Sequence, residues 1–409
     1  MMAEKKSINV VLVGTLDTKG PEIGCIRDVV QSKGCAAIVV DAGILGSPRI
    51  QADISREQVA RSGGIDFQDL LLKAKKSSDR MQFIRFMIEG VKKEIRNLYD
   101  RGSVDGIISV GGSMGMAIGV NAMKTLPVGV PKLMVGTHFY PQYLGESDLT
   151  IMQCPTDIMG LNPVTKRTLT QAAEAICAMA SVRGPLEKTR PLVAMTALGV
   201  TTPGVLEIQR LLEARGYDSV IFHGNSEVMD QLVERDVIDG ILDFSPNELL
   251  RIFTIEETPW RASRLDSAGE KGLPQVFVPG SLDMIVLRLA KDNLPDTYKD
   301  RKIYMHGPYI TGVRTTGDEL KNLARIVSGK LNRARGPAAV VFPLRGFSAI
   351  DREGFAFHEV ETDRIFLEEM KRELKKDVEV IEADAHIFDE SFLSTVVSVY
   401  EKLAKTRSA

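Results

Sequence analysis

Cysteine is scarce in this chain of 409 residues: Cys25, Cys35, Cys154 and Cys177 are all there is. No two of them form a CxxC pair, and Cys25 and Cys177 sit in helical patterns where a buried thiol is the ordinary outcome. That argues against a zinc or disulfide framework and points to a reducing cytoplasm. Histidine is nearly as rare, with five, and no HExxH or comparable spacing joins them into a metal centre. No apolar run approaches the roughly 18 residues of a membrane span. Lys5 and Lys6 precede an apolar stretch, but residues 14–19 cut it short without a small-residue cleavage site, so no signal peptide is expected. Excess charge is missing too. Lys+Arg at 52 against Asp+Glu at 54 leaves a formal net charge of −2, which provides no broad basic face for nucleic acid.

What is present is an α/β alternation. Apolar residues at 44% and charged residues at 26% describe a globular chain, and its length calls for two domains rather than one core. Short β-branched runs at 8–13, 36–40, 106–110, 132–135 and 149–154 read as strands. Helical spacing follows at 22–33, 78–100, 114–124 and 165–182. Long connections between strands favour parallel pairing through helical crossovers. A polar stretch over 181–190, with Gly184-Pro185 inside it, reads as a linker, dividing the chain into domains 1–184 and 185–409. The pattern then restarts, with strands expected at 192–196, 219–222, 240–244, 275–278, 302–305, 338–342 and 378–381. Helices are expected at 205–215, 320–331 and 391–405, and the restart suggests a distant structural repeat of the first half.

In parallel sheets ligands bind beyond the carboxyl ends of the strands. After the first strand come Gly14-Thr15-Leu16-Asp17-Thr18-Lys19. A turn here would aim backbone N–H groups, two hydroxyls and an ammonium at one spot, as phosphate sites do. The alternative is an ordinary turn whose Asp17 or Thr18 caps the helix. Neither GxxxxGK[ST] nor GxGxxG is present, which weighs against a nicotinamide dehydrogenase. Gly111-Gly112-Ser113-Met114-Gly115 follows the third strand and would form the second side of such a cradle. Asp41 ends the second strand as a ribose-hydroxyl acceptor or as a turn residue, and Thr137-His138 ends the fourth.

In the second half, His223, His306 and His386 fall just after expected strands, as His138 does in the first. Each alone is explained by a bond to a loop carbonyl; as a set they point to a polar site.

Eight segments in order carry a family resemblance: Gly14-Thr15-Leu16-Asp17-Thr18-Lys19, Asp41-Ala42-Gly43, Gly111-Gly112-Ser113, the run Leu126 to Lys132, Gly199-Val200-Thr201-Thr202-Pro203, Val278-Pro279-Gly280-Ser281-Leu282-Asp283-Met284, Leu344-Arg345-Gly346 and Asp384-Ala385-His386-Ile387. Across nearly the whole chain they resemble the ATP-binding domain family named after the tomato mosaic virus resistance protein. The resemblance implies two Rossmann-like α/β domains with mainly parallel sheets, ATP on the first of them, and a homodimer or higher homo-oligomer. Plant members carry a further barrel domain, so their antiviral role is not implied here.

By position, Gly14, Thr15, Asp17, Thr18 and Lys19 match the family's first nucleotide loop and Gly111, Gly112, Ser113 and Gly115 its second. Asn162 and Arg167 match a Leu-Asn-x-x-x-x-Arg pattern that reaches toward phosphates. Three departures fall on ligand loops: Thr137-His138-Phe139-Tyr140-Pro141 where small residues are usual, Gly224-Asn225-Ser226-Glu227 in place of a glycine-rich segment, and Gly307 where Asn often stands.

The resulting expectation is a cytoplasmic ATP-binding protein, with magnesium on the nucleotide, acting on a small polar or anionic molecule at an interdomain cleft. Asp41 and Thr137 would complete the nucleotide site. The second domain would offer His223, His306, Arg345, Asp384 and His386, with Arg345 or Arg314 gripping a carboxylate or phosphate. The alternative is a non-enzymatic nucleotide-binding or regulatory module. No nucleic acid or membrane partner is expected.

Overall fold

The computed structural model describes residues 7–76, 81–139, 147–182, 187–224, 227–254 and 264–407. The chain forms two compact units, Met1–Leu186 and Glu187–Ala409. Residues 78–80 of one expected helix, 183–186 of the expected linker, Tyr140 and Pro141, and Asn225 and Ser226 lie outside the described residues.

The first unit is a mixed α/β layer structure. Its strands β1 (Asn9–Gly14), β2 (Ala36–Asp41), β3 (Gly106–Gly111), β4 (Lys132–Gly136) and β5 (Leu149–Gln153) form one sheet in the order β2-β1-β3-β4-β5. All four pairings are parallel. Helices α1 (Leu16–Ser32), α2 (Arg56–Ser62), α3 (Phe67–Lys76), α4 (Met81–Asp100), α5 (Ser113–Lys124) and α6 (Pro163–Ser181) cover both faces. The two-residue period of β1 decides which side chains meet which layer. Val11 and Val13 pack with Val59, Met87 and Met116 from α2, α4 and α5. Val10 and Leu12 pack with Ile26 of α1 and Leu169 of α6. Each fully buried side chain of this kind contributes about 1.5–3 kcal/mol, which is why a β-branched run sheathed on both faces is so legible in the sequence.

The second unit repeats the plan. Strands β6 (Leu192–Ala197), β7 (Asp218–His223), β8 (Gly240–Asp243), β9 (Gln275–Phe277), β13 (Ala338–Pro343) and β14 (Glu379–Ala383) form a parallel sheet in the order β14-β13-β9-β8-β6-β7. From the other edge that order is second, first, third, fourth and onward, the same winding as the first unit. Its helices are α7 (Thr202–Ala214), α8 (Glu227–Glu234), α9 (Asp266–Glu270), α10 (Asp296–Lys299), α11 (Gly317–Leu331), α12 (Val360–Glu373) and α13 (Glu390–Arg407). Between β9 and β13 the chain inserts a three-stranded sheet of β10 (Met284–Leu287), β11 (Ile303–Gly307) and β12 (Ile310–Arg314), ordered β10-β12-β11 and antiparallel. This corrects one expectation: the strand carrying His306 belongs to the insertion, not to the parallel sheet.

Among the described residues no helix is long and apolar enough to cross a membrane.

Candidate functional sites at the two switch points

In a doubly wound sheet the crevice opens where the strand order reverses. In the first unit that point lies between β1 and β3. The segments following these two strands do converge there, on a cavity of about 210 Å3 lined by Thr15, Asp17, Thr18, Lys19 and residues 111–115. Ile84 and Met87 of α4, with Ile118 of α5, supply an apolar wall opposite.

The local geometry differs from a free loop. Helix α1 starts at Leu16, and its dihedrals leave the helical region at Lys19 (φ −120°, ψ 17°), two residues before Pro21. Proline has no N–H to return to the preceding turn, which accounts for the kink. Three of its first four amides are already taken. Leu16 N–H donates to Asp41 Oδ1 at 3.0 Å, and the amides of Thr18 and Lys19 donate to Thr15 O at 3.0 and 2.7 Å. The amides left for an anion come from α5, whose start at Gly112 has no side-chain cap and whose first turn lines the cavity. Gly112 has an extended φ of −75°, and a Cβ built on it meets nothing within 4 Å. Its role is therefore open space rather than a positive φ. Gly111 matters for close approach, since a Cβ there would lie 2.6 Å from Gly115 Cα.

Asp41 does not line this cavity. It is buried, it accepts from Leu16 N–H and from Gly43 N–H at 2.8 Å, and burial raises its pKa. The accepting oxygen, Oδ1, ties β2 to α1. Asp17 accepts from the amides of Leu45 and Gly46 through Oδ2, while its buried Oδ1 has no partner among the described residues. Thr15 and Thr18 share a hydroxyl–hydroxyl bond of 2.7 Å. Lys19 donates from Nζ to Ile158 O, and Glu22 accepts from Gly160 N–H at 2.8 Å, so residues 158–160 are fastened to α1. An ammonium has three donors, so that bond leaves capacity for a ligand.

Gly14 does not line this cavity either, and three further expected residues lie away from it. Asn162 caps α6, accepting from Val164 and Thr165 amides at 2.9 and 3.0 Å, and its side-chain oxygen is thereby used. Arg167 is exposed on a shallow groove beside Met152 and Pro163. Thr137 follows β4, and its carbonyl accepts from Gln153 at 3.1 Å; it does not line the cavity. All four cysteines carry free thiols.

The second unit's switch point lies between β6 and β8, and it too holds a cavity, of about 270 Å3. His223 at the end of β7 and His306 on β11 both line it. A Cβ on Gly199, just beyond β6, would sit 3.5 Å from the His306 ring, so the insertion closes over the sheet end. Neither imidazole has a hydrogen-bond partner among the described residues.

The other three expected catalytic residues are not brought there. Arg345 and Asp384 form an exposed two-pronged ion pair, with both N–O distances 2.8 Å, and the arginine holds the Asp384 carboxyl below its usual range. His386 places Nε2 3.1 Å from Ser348 O and 3.2 Å from Asp351 O, while Nδ1 accepts from Phe388 N–H at 3.4 Å. Carbonyls only accept, so Nε2 carries the proton and both ring nitrogens are spent on loop backbone. Arg314 is buried against Asp363 at 2.6 Å, and does not reach the cavity.

Residues outside the expected site set complete this cavity. Asn247, Glu248 and Arg251 lie on a 3-10 helix, Asn247–Phe253, that follows β8, and Tyr304 stands two residues before His306 on β11. Asp243 to Glu248 is a polar segment at a strand end, and nothing in its residue types announces a 3-10 turn.

Comparison with known proteins follows the same division. The profile described as uncharacterised protein family (UPF0261) N-terminal domain matches residues 8–185, and its C-terminal counterpart matches 190–404. A UPF0261 protein of Clostridium tetani is 34% identical over 391 residues, covering 94% of this chain and 96% of that one. The tomato ToMV susceptible protein tm-1(GCR26) is 28% identical, over 98% of this chain and 56% of the plant protein. A solved UDP-N-acetylglucosamine 2-epimerase from Rickettsia bellii aligns with 68% of this chain and 82% of its own length at 10% identity, with a TM-score of 0.23 too low to carry any argument.

Proposed function

We propose, from the premise that this chain belongs to the uncharacterised protein family UPF0261, that it binds ATP through its first unit and uses it in a step on a small polar or anionic molecule held by its second. One observation carries the reading: the segments after β1 and β3 meet at a single cavity on the switch point. The residues present suit a nucleotide. Lys19 offers charge, the uncapped start of α5 offers amides, Gly112 leaves room, and Ile84 and Met87 offer an apolar surface for a base. At about 210 Å3 the cavity is below the usual range of roughly 300–1,000 Å3, so it would enclose only part of the nucleotide. The Asp17 carboxylate beside the phosphates favours ATP carrying magnesium over free ATP. Four free thiols suit the cytoplasm.

A melting-point titration tests this. ATP with magnesium at about 100 times its dissociation constant stabilises by about 2.7 kcal/mol, and Lys19→Ala removes most of the rise. An undiminished rise in that variant moves the phosphates elsewhere.

A second reading, a nucleotide-binding module without turnover, is favoured by one set of observations: Arg345, Asp384 and His386 are engaged with protein partners rather than a cavity. Steady phosphate release from ATP by the purified chain would reject it.

A further inference from the structure

We infer that the cavity at the second switch point is a binding site for a small hydroxylated monocarboxylic acid; this deepens the reading that the second unit holds a small molecule. The floor is built with fixed acceptors. Asn247 is 8% exposed, and its Nδ2 donates to Ser281 O at 2.6 Å and Met284 O at 2.7 Å. Both amide hydrogens are consumed, so Oδ1 is locked as an acceptor and has no partner among the described residues. The Ser281 carbonyl reaches Asn247 from a strained backbone: Ser281 has φ +60°, a region that costs a residue with a Cβ about 1–3 kcal/mol. A buried chain of hydroxyls, Thr201 to Ser245 at 3.1 Å and Ser245 to Ser281 at 2.7 Å, holds that backbone in place.

Glu248 comes next. One oxygen accepts from Arg264 at 3.0 Å, and Arg264 also binds Asp243. The other oxygen of Glu248 has no partner among the described residues. In a 3-10 helix residues three apart eclipse, so Glu248 and Arg251 rise up one face, with Thr254 just past the helix end, and all three line the cavity. One Glu248 oxygen is bonded to Arg264, and Arg251 has no carboxylate partner among the described residues. Two acceptors side by side call for ligand hydroxyls. One guanidinium without a carboxylate partner among the described residues calls for an anion. One planar guanidinium matches a carboxylate through two parallel N–H···O bonds, and the Glu248 carboxylate on the same wall repels a second negative charge, which favours a monoanion over a phosphate dianion. Arg288, on the same wall, already has a partner. Val200, Leu250 and Met284 offer apolar surface for the carbon skeleton, and His223 and His306 stand at the rim as donors or acceptors.

The test is a melting-point panel on the full chain without nucleotide, so that failure of ATP binding at the first unit leaves it untouched. Glycerate, threonate and gluconate are the probes. Butyrate lacks the hydroxyls, glycerol and glucose lack the charge, and glycerol 3-phosphate replaces the carboxylate. The expected result is a saturable rise with at least one hydroxy acid at about 10 mM or below, with each comparison compound at least about tenfold weaker. Arg251→Gln, at a half-buried position, should keep the unliganded melting point and weaken that acid by about tenfold or more. The inference is overturned if no hydroxy acid acts, if butyrate, a neutral polyol or the phosphate binds as well, or if Arg251→Gln binds normally.

Discussion

The Asp41 carboxylate accepts the backbone N–H of Leu16 at 3.0 Å, joining the end of β2 to the first residue of α1. The same oxygen takes Gly43 N–H at 2.8 Å. The orientation of α1, and with it Lys19, therefore rests on a buried side chain. Asp41→Ala orphans two buried amides and should destabilise the first unit by roughly 1–3 kcal/mol. Urea unfolding would measure it; a stable variant would show that water replaces the carboxylate.

Gly112→Val should fold normally, because its backbone is extended and a Cβ meets no neighbour. The valine would project into the ligand's space, so the ATP-dependent rise in melting point should shrink while the unliganded value holds. An intact ATP response would remove this turn from the site.

Asp283 lies in a buried acidic group. Ser348 donates to it at 2.8 Å, Arg314 binds its carbonyl and the Asp363 carboxylate, and His358 stands 3.6 Å from Asp351. Burial, and then the nearby Asp351, push its pKa up to about 7. The unfolded value is near 4, so the native chain holds an extra proton between those limits. Stability from this group is complete below about pH 4 and is lost as pH rises through about 7. Asp283→Asn should flatten the fall in urea midpoint between about pH 5 and 8. An unchanged slope would assign the proton to another group.

Arg345→Ala should leave both the melting point and any ligand response unaltered, because the pair with Asp384 is exposed at 61% and 74%. Loss of function in that variant would restore Arg345 to a site.

The central parallel strands were legible because they are apolar runs buried on both faces: 106–110 and 338–342 are clear cases. Strands β10 and β12 were not. β10 has four residues, and β12 carries Gly312 at its centre and Arg314 at its end. Helix α12 was missed because charge dominates it, although Phe366, Leu367 and Met370 form its buried stripe. The meeting of residues 15–19 with 111–115 was readable from the strand-end rule. The fates of Asp41, Asn162 and His386 were not, since each side chain is spent on amides or carbonyls that only the folded chain brings near. The burial of Asp283, Asp351 and Asp363 was not legible either, since Arg314, which binds Asp283 O and the Asp363 carboxylate, comes from β12 of the insertion.

The most direct measurement is a crystal structure with magnesium and a non-hydrolysable ATP analogue. The account predicts phosphate oxygens within hydrogen-bond reach, about 2.7–3.2 Å, of Lys19 Nζ and of the first amides of α5, with the base toward Ile84 and Met87. A nucleotide bound away from Lys19 and residues 111–115 would contradict it.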